Sequence, residues 1–98
     1  MADQLSKLND LFEAQWIEDV GEDVGITIDS LDNPGWSLKV ELAWLADKRL
    51  LSKHFESVQI ERSDRDWLFA NKIGTFFEAF GGIRNLDEVI GLFLDWAK

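Results

Sequence analysis

A short turn sequence with alternating residues on both sides constrains the fold of this chain most strongly. Pro34 restricts φ to about −65° and glycine readily adopts positive φ, so Asn33-Pro34-Gly35 predicts a type II turn with Gly35 at the positive-φ position. Apolar β-branched residues alternate with other residues in 24–29, before the turn, and residues 36–44 alternate after it. A period of two indicates strands with one buried face. The sequence therefore predicts an antiparallel hairpin at this turn.

Two amphipathic helices are predicted, one near each end of the chain. The first has Asp3 as its N-cap and Gly21 as its end marker, and its apolar stripe consists of Leu5, Leu8, Leu11, Phe12 and Trp16. In the second, Asn85 is the predicted N-cap, and Glu88 three residues later completes a capping-box pattern. The predicted buried stripe of this helix consists of Leu86, Val89, Ile90, Phe93 and Trp96 or Ala97.

Three further strands are predicted between the hairpin and the second helix, in residues 55–62, 67–72 and 75–80. Residues 43–54 fit either a short helical turn or a long loop. One sheet and two amphipathic helices predict a two-layer α+β fold in a single domain, 1–98, with a five-stranded antiparallel meander sheet and the N- and C-terminal helices packed on one face. The opposite face is predicted to be polar and solvent-exposed, with Thr27, Asp29, Ser37, Lys39, Glu41, Gln59 and Glu61.

Acidic residues are concentrated in the first third of the chain. The protein has 19 Asp and Glu against 10 Lys and Arg, a formal net charge of −9. Residues 18–32 contain six acidic residues and no basic one. Such a local negative field repels nucleic acid and anionic membranes and attracts a basic partner. The same charges also fit a solvated face that only keeps the protein soluble, and both interpretations stay open at this point.

Several kinds of chemistry are excluded or disfavoured by the residues present. The chain has no Cys, which excludes disulfides, a thiolate nucleophile and a Cys-bound zinc ion. His54 is the single histidine, and neither a Gly-rich phosphate loop nor the spacing of an EF-hand occurs. We therefore expect no catalytic residues, no metal and no cofactor. The first four residues are polar and acidic in character and no apolar run is long enough for a membrane span, so we expect no signal peptide and a cytoplasmic protein.

Each of the five tryptophans can either pack in the core or contact a binding partner. Four of them lie on predicted apolar stripes and are expected in the core: Trp16, Trp36, Trp44 and Trp96. Trp67 follows Asp66 at the start of a predicted strand, and we expect it to be partly exposed. An exposed Trp beside acidic residues is typical of a protein-binding hot spot.

Three segments of the chain resemble the immunity protein 53 family, which consists of small antidotes encoded beside bacterial polymorphic or contact-dependent toxins. The first segment is residues 25–40, in which Leu31-Asp32-Asn33-Pro34-Gly35-Trp36 is the most specific run. The others are residues 60–67 and a C-terminal pattern in the family's order, with Gly81-Gly82, Asn85-Leu86-Asp87-Glu88, Phe93 and Trp96. The similarity covers residues 8–97. Residues 16–23 depart from the family pattern because they contain no His.

The resemblance implies a non-enzymatic protein that binds a cognate toxin domain tightly and blocks its functional surface. A nuclease toxin needs a basic surface to hold nucleic acid, so we expect a basic nuclease as the partner and acidic residues as the contact. The predicted toxin-binding residues are Glu18, Asp19, Glu22, Asp23, Asp29 and Asp32, with a second group of Asp64, Asp66 and Trp67. Two alternatives stay open: an acidic interaction module with a non-toxin partner, and a small enzyme or metal-binding domain that uses its carboxylates.

Overall fold

The computed structural model describes residues 3–15, 25–32, 34–45 and 48–97. The elements are α1 (Asp3–Gln15), β1 (Ile26–Leu31), β2 (Gly35–Glu41), a 3₁₀ turn (Leu42–Trp44), α2 (Arg49–Ser52), β3 (Val58–Ser63), β4 (Asp66–Ile73), β5 (Phe76–Gly81) and α3 (Leu86–Ala97). Of the two possibilities for residues 43–54, the short helical turn is therefore the one found. Trp16, Gly21 and Val24, on which parts of the helix and strand predictions depend, lie outside the described residues.

The five strands form one antiparallel sheet in the order β1-β2-β5-β4-β3. This sheet and the helices before and after it confirm the predicted α+β class. β1 pairs with β2, β3 pairs with β4, and β4 pairs with β5. The other neighbour of β2 is β5 and not β3. The connection from β2 to β3, which includes α2, carries β3 to the far edge of the sheet. As a result, β5 is the central strand.

The core lies between the helices and the inner face of the sheet, which we define as the face covered by α3. α3 contacts β2 and β5, and α1 packs against α3. Phe77 in the central strand is fully buried, and its ring centroid lies 5.0 to 5.8 Å from those of Phe55, Phe93 and Trp96. The Nε1 of Trp96 donates a hydrogen bond to the carbonyl oxygen of His54 at 2.8 Å. Trp96 therefore packs against the core as predicted, with its indole N–H satisfied.

The hairpin of β1 and β2 is confirmed, but the predicted role of Gly35 is wrong. Ile28 lies opposite Leu38 in the antiparallel register. Gly35 has no positive φ and is the first residue of β2. A Cβ atom on Gly35 would lie 2.3 Å from the carbonyl oxygen of Gly81 in β5. Glycine is thus required by the close approach of two backbones, a contact between residues that are far apart in the sequence.

β2 ends at Glu41, three residues before the end that the alternation predicts. The chain continues in a 3₁₀ turn, in which the side chain of Leu42 is fully buried. The carboxylate of Glu41 caps this turn, since its Oε1 accepts a hydrogen bond from the N–H of Ala43 at 3.1 Å. Because Leu42 in the turn is apolar and buried, the alternation in the sequence continues past the end of the strand.

Candidate partner-binding surface

The outer face of the sheet, which points away from α3, differs from its prediction. It carries the predicted polar residues Thr27, Asp29, Ser37, Lys39, Glu41, Gln59 and Glu61. The two strands β4 and β5 add four aromatic side chains, here called the aromatic stripe: Trp67, Phe69, Phe76 and Phe80. The residues that alternate with these four, such as Leu68 and Phe77, are buried in the core. The prediction of a polar face is therefore wrong for β4 and β5, which present large apolar side chains on both sides.

The rings of the aromatic stripe are held in defined positions. Phe69 and Phe80 lie opposite each other in the register of β4 and β5, and their rings stack with centroids 6.3 Å apart. The ring of Phe76 lies 4.4 Å from the Nζ of Lys39, a cation–π contact. All four aromatic side chains are half-buried, and Ile73, on the same face at the end of β4, is 55% exposed. Since α3 covers the other face of the sheet, the exposed part of the stripe is accessible to a partner.

Carboxylates lie both within and around the aromatic stripe on the outer face: Glu78 lies between Phe76 and Phe80 in β5, and Asp29, Glu41 and Glu61 lie on β1, β2 and β3. Lys39 is the one cationic side chain among the described residues of this face. Its Nζ lies 4.0 Å from the carboxylate of Glu78 and also packs on Phe76, so its charge is partly compensated. A pocket beside the stripe is lined by Thr27, Asp29, Ser37, Leu38, Lys39, Glu78 and Phe80. The outer face thus combines aromatic rings with carboxylates that lie between and around them.

The structure places some of the predicted contact residues on or near this face. Asp29 is exposed on the outer face of β1, and Asp32 is exposed in the turn that follows. Asp64 is exposed in the turn between β3 and β4, where it lines a second pocket together with Trp67. Trp67 is half-buried and part of the aromatic stripe, which confirms that it is partly exposed. Glu18, Asp19, Glu22 and Asp23 lie outside the described residues.

The other three members of the stripe were not predicted from the sequence: Phe69, Phe76 and Phe80. A signal for them was present, because Phe76 and Phe77 are consecutive and consecutive strand residues point to opposite faces. Whichever face of β5 is buried, one of these two rings must lie on the other. When apolar residues occupy both the odd and the even positions of a strand, both of its faces are apolar.

Asp66 is engaged within the protein, on the face of the sheet opposite to Trp67. Its Oδ1 accepts hydrogen bonds from Nη2 of Arg62 at 2.9 Å and from Nδ2 of Asn85 at 3.0 Å. The Oε1 of Glu88 accepts from the same two donors, at 2.7 and 3.0 Å. Asn85 is 5% exposed, and its Oδ1 accepts from the N–H of Trp67 at 3.3 Å. These four side chains, here called the Arg62 network, join the β3–β4 hairpin to the start of α3.

The predicted capping box at Asn85 is not formed, although α3 begins directly after this residue. In a capping box, the N-cap oxygen binds a helix N–H and the Glu side chain binds the N-cap backbone N–H. Here the Asn85 oxygen binds a strand N–H, Glu88 binds the Asn85 side chain, and the Asn85 N–H donates to the carbonyl oxygen of Gly82. The sequence pattern placed the helix start correctly but gave the wrong hydrogen-bond partners. The side chain of Asn85 instead binds the N–H of Trp67 and the carboxylate of Asp66, which both belong to β4.

The protein is expected to lose stability in acid, because Asp66 must be ionised to hold Arg62. The hydrogen bonds from Arg62 and Asn85 lower the pKa of Asp66 in the folded state. A carboxyl group with a lowered folded-state pKa stabilises the fold above its unfolded pKa of about 4, and this stabilisation is lost as the pH falls through the folded-state value. The Asp66→Asn variant should therefore be less stable at neutral pH and lose less stability between about pH 4 and pH 2.

Urea unfolding of both proteins at neutral pH and across this acidic range measures the effect. Asp64→Asn is the matched control, because Asp64 is exposed in the adjacent turn. Equal acid slopes for Asp66→Asn and the wild-type protein would show that the Arg62 network does not titrate through Asp66.

Within the part of the chain that the structure describes, no group of three or more His, Asp or Glu side chains is placed to hold a metal ion. His54 is exposed, and its Nε2 lies 3.2 Å from the carboxylate of Glu56, itself exposed. None of the helices in the described ranges is long and apolar enough to cross a bilayer.

The model of a protein family described as Immunity protein 53 matches residues 5–98. No curated protein and no solved structure matches the chain significantly. The family match covers β1 to β5 and α3, and therefore both the outer face and the Arg62 network.

Proposed function

Because the chain belongs to the immunity protein 53 family, and is thus related to immunity proteins that act against toxins, we propose that it binds one cognate bacterial toxin domain and blocks its functional surface. Family membership also favours a non-enzymatic role. The proposed partner is a basic nuclease, neutralised in the cytoplasm, where its nucleic-acid substrate is found. The match over residues 5–98 supports one immunity-protein domain.

The negative charge of the chain is the observation that supports a basic partner. The net charge is −9, and residues 18–32 carry six carboxylates without a cation. Of these, Asp29 and Asp32 are described and both are exposed. A nuclease holds the phosphate backbone with Lys and Arg, and an acidic protein can compete for the same surface. Complementary charge also raises the association rate, which favours capture of a toxin before it acts.

Reversing the acidic residues of this region should weaken toxin binding and reduce its salt dependence. One variant converts Glu18, Asp19, Glu22 and Asp23 to Lys, and a second converts Asp29 and Asp32. Removing favourable charge pairs across the interface is expected to lower the association rate by about tenfold or more at low salt. Co-expression with the protein encoded immediately upstream, followed by binding measurements at low and high salt, tests this expectation.

A control variant converts Asp10 and Glu13 to Lys, since both are exposed on α1, which packs against α3 and not against the outer face that carries Asp29. Unchanged affinity and unchanged salt dependence in both acidic-region variants would contradict the acidic contact. Failure of the wild-type chain to bind or protect against the upstream protein would contradict the antidote function.

A further inference from the structure

We propose that the outer face of the sheet is the toxin-binding surface and that the aromatic stripe carries most of the binding free energy. This inference rests on the proposed function and makes it specific. The contacts predicted from the sequence are six acidic residues in 18–32 and the group of Asp64, Asp66 and Trp67. The structure instead places Trp67 in a row with Phe69, Phe76 and Phe80 across two adjacent strands.

The aromatic stripe is unusual for the exposed side of a sheet that is covered on one face. Such sheets alternate apolar residues toward the core and polar residues toward solvent. β4 and β5 depart from this rule at Trp67, Phe69, Phe76 and Phe80, and Ile73 on the same face is 55% exposed. The core is formed by the inner set of residues, which includes Leu68, Ala70, Phe77 and Ala79, and the four rings of the stripe lie outside it. Large half-exposed aromatic side chains are typical of binding hot spots.

The chemistry of the outer face matches a basic partner. The contact of the Lys39 Nζ with the ring of Phe76 at 4.4 Å shows that this face already holds a cation against an aromatic ring. Arg and Lys side chains of a toxin can pack on the rings of the stripe in the same way. The surrounding carboxylates, such as Asp29 and Glu61, can then pair with the charged ends of these side chains. The expected occupant is therefore a basic protein surface whose long cationic side chains lie across β4 and β5.

The groove between α1 and α3 fits this partner less well. It is lined by Lys7, Asp10, Leu11, Leu94 and Ala97. One cation and one carboxylate compensate each other there, and the lining contains no aromatic ring for a cation to pack on. The outer face is favoured because aromatic rings and an excess of carboxylates occur together on it.

The affinity of the full chain for the protein encoded immediately upstream, measured by surface plasmon resonance, tests the inference. Trp67→Ala and Phe80→Ala should each raise Kd by at least about 30-fold, mainly through faster dissociation. Leu5→Ala is the matched control, because it removes a side chain that is 46% exposed on α1. Its Kd should change by less than about threefold. Thermal unfolding of each variant establishes that it is folded.

A second variant adds a side chain instead of removing one, and so keeps the test valid if the stripe variants unfold. Thr27 is exposed and lines the pocket beside the stripe, so Thr27→Arg introduces bulk and positive charge on the outer face without altering the core. This change should also raise Kd at least tenfold, by obstruction and like-charge repulsion. Ser6→Arg on the exposed surface of α1 is its control.

The outcomes separate the inference from the function on which it rests. Normal wild-type binding with less than a threefold change in the folded stripe variants and in Thr27→Arg would overturn the outer face as the binding surface, while the antidote function would stand. Absence of wild-type binding would overturn both. A wild-type dimer that Phe80→Ala dissociates in sedimentation, with unchanged toxin affinity, would identify a second copy of the chain as the occupant and would also overturn the inference.

Discussion

Replacing Asn85 with Asp is expected to destabilise the protein by about 3 kcal/mol at neutral pH. The Nδ2 of Asn85 donates to Asp66 and Glu88, each at 3.0 Å, and the residue is 5% exposed. The substitution replaces this donor with an oxygen, so that a third carboxylate faces two others and Arg62 is the one cation in the network. Like charges at this distance and a buried carboxylate without enough donors both oppose folding.

The pH dependence of this variant distinguishes charge repulsion from simple loss of packing. The two neighbouring carboxylates raise the folded-state pKa of the introduced carboxyl group above its unfolded value of about 4. The penalty should therefore be largest above that raised pKa and shrink as the pH falls through it, because the protonated group again donates a hydrogen bond. Urea unfolding at about pH 8 and about pH 5 measures the loss of stability at the two ends of this pH range. Asn9→Asp, at an exposed position of α1, is the control, and an equal loss of stability in the two variants would refute the role assigned to Asn85.

Gly35→Ala is expected to lower the free energy of unfolding by about 3 kcal/mol. For a chain of this size, this corresponds to a fall in Tm of roughly 15 °C. The added Cβ would lie 2.3 Å from the carbonyl oxygen of Gly81, a distance that real Cβ contacts do not show. Gly81 cannot move away easily, because it also lies opposite Leu68 in the pairing of β5 with β4. The clash therefore separates β2 from the central strand or strains both strands.

Gly91→Ala is the matched control, because it is not expected to lower the stability of the protein. Gly91 lies in α3, and a Cβ there would meet the side chain of Gln4 at 3.4 Å, an ordinary contact with a flexible group. Alanine is favoured over glycine in a helix by up to about 1 kcal/mol, so Gly91→Ala should be neutral or stabilising. Thermal unfolding of the two variants side by side provides the comparison. Equal and small shifts would show that the backbone approach at Gly35 is not a constraint on the fold.

The elements of this fold follow from local patterns, while their arrangement depends on distant contacts. The predicted strands in 55–62, 67–72 and 75–80 correspond to β3, β4 and β5 within a few residues. Gly74 lies in the two-residue turn that joins β4 to β5 and has a φ of 59°, a conformation that glycine adopts readily. The pairing of β2 with β5 could not be derived in this way, because its determinant is the contact between Gly35 and Gly81.

The candidate binding surface was predictable only in part, for a related reason. Trp67 could be selected from its position beside acidic residues at a strand start. Phe69 and Phe80 become part of a surface only when the register of β4 and β5 stacks their rings. Asp66 illustrates the converse, because its sequence neighbours suggest an exposed contact while Arg62 and Asn85 engage its carboxylate. Charge and exposure of single residues can be estimated from sequence, whereas side-chain partners across strands need the fold.

The central position of β5 has a consequence for how the protein is made. Translation delivers β1-β2 and then β3-β4 before β5, so two hairpins leave the ribosome with unpaired edges. The sheet can close only when residues 76–81 insert between β2 and β4, a late and long-range step. Phe76 and Phe80 arrive with that same strand, so the core and the proposed toxin-binding surface are completed together. A partly synthesised chain that lacks β5 therefore has neither a complete core nor the complete proposed binding surface.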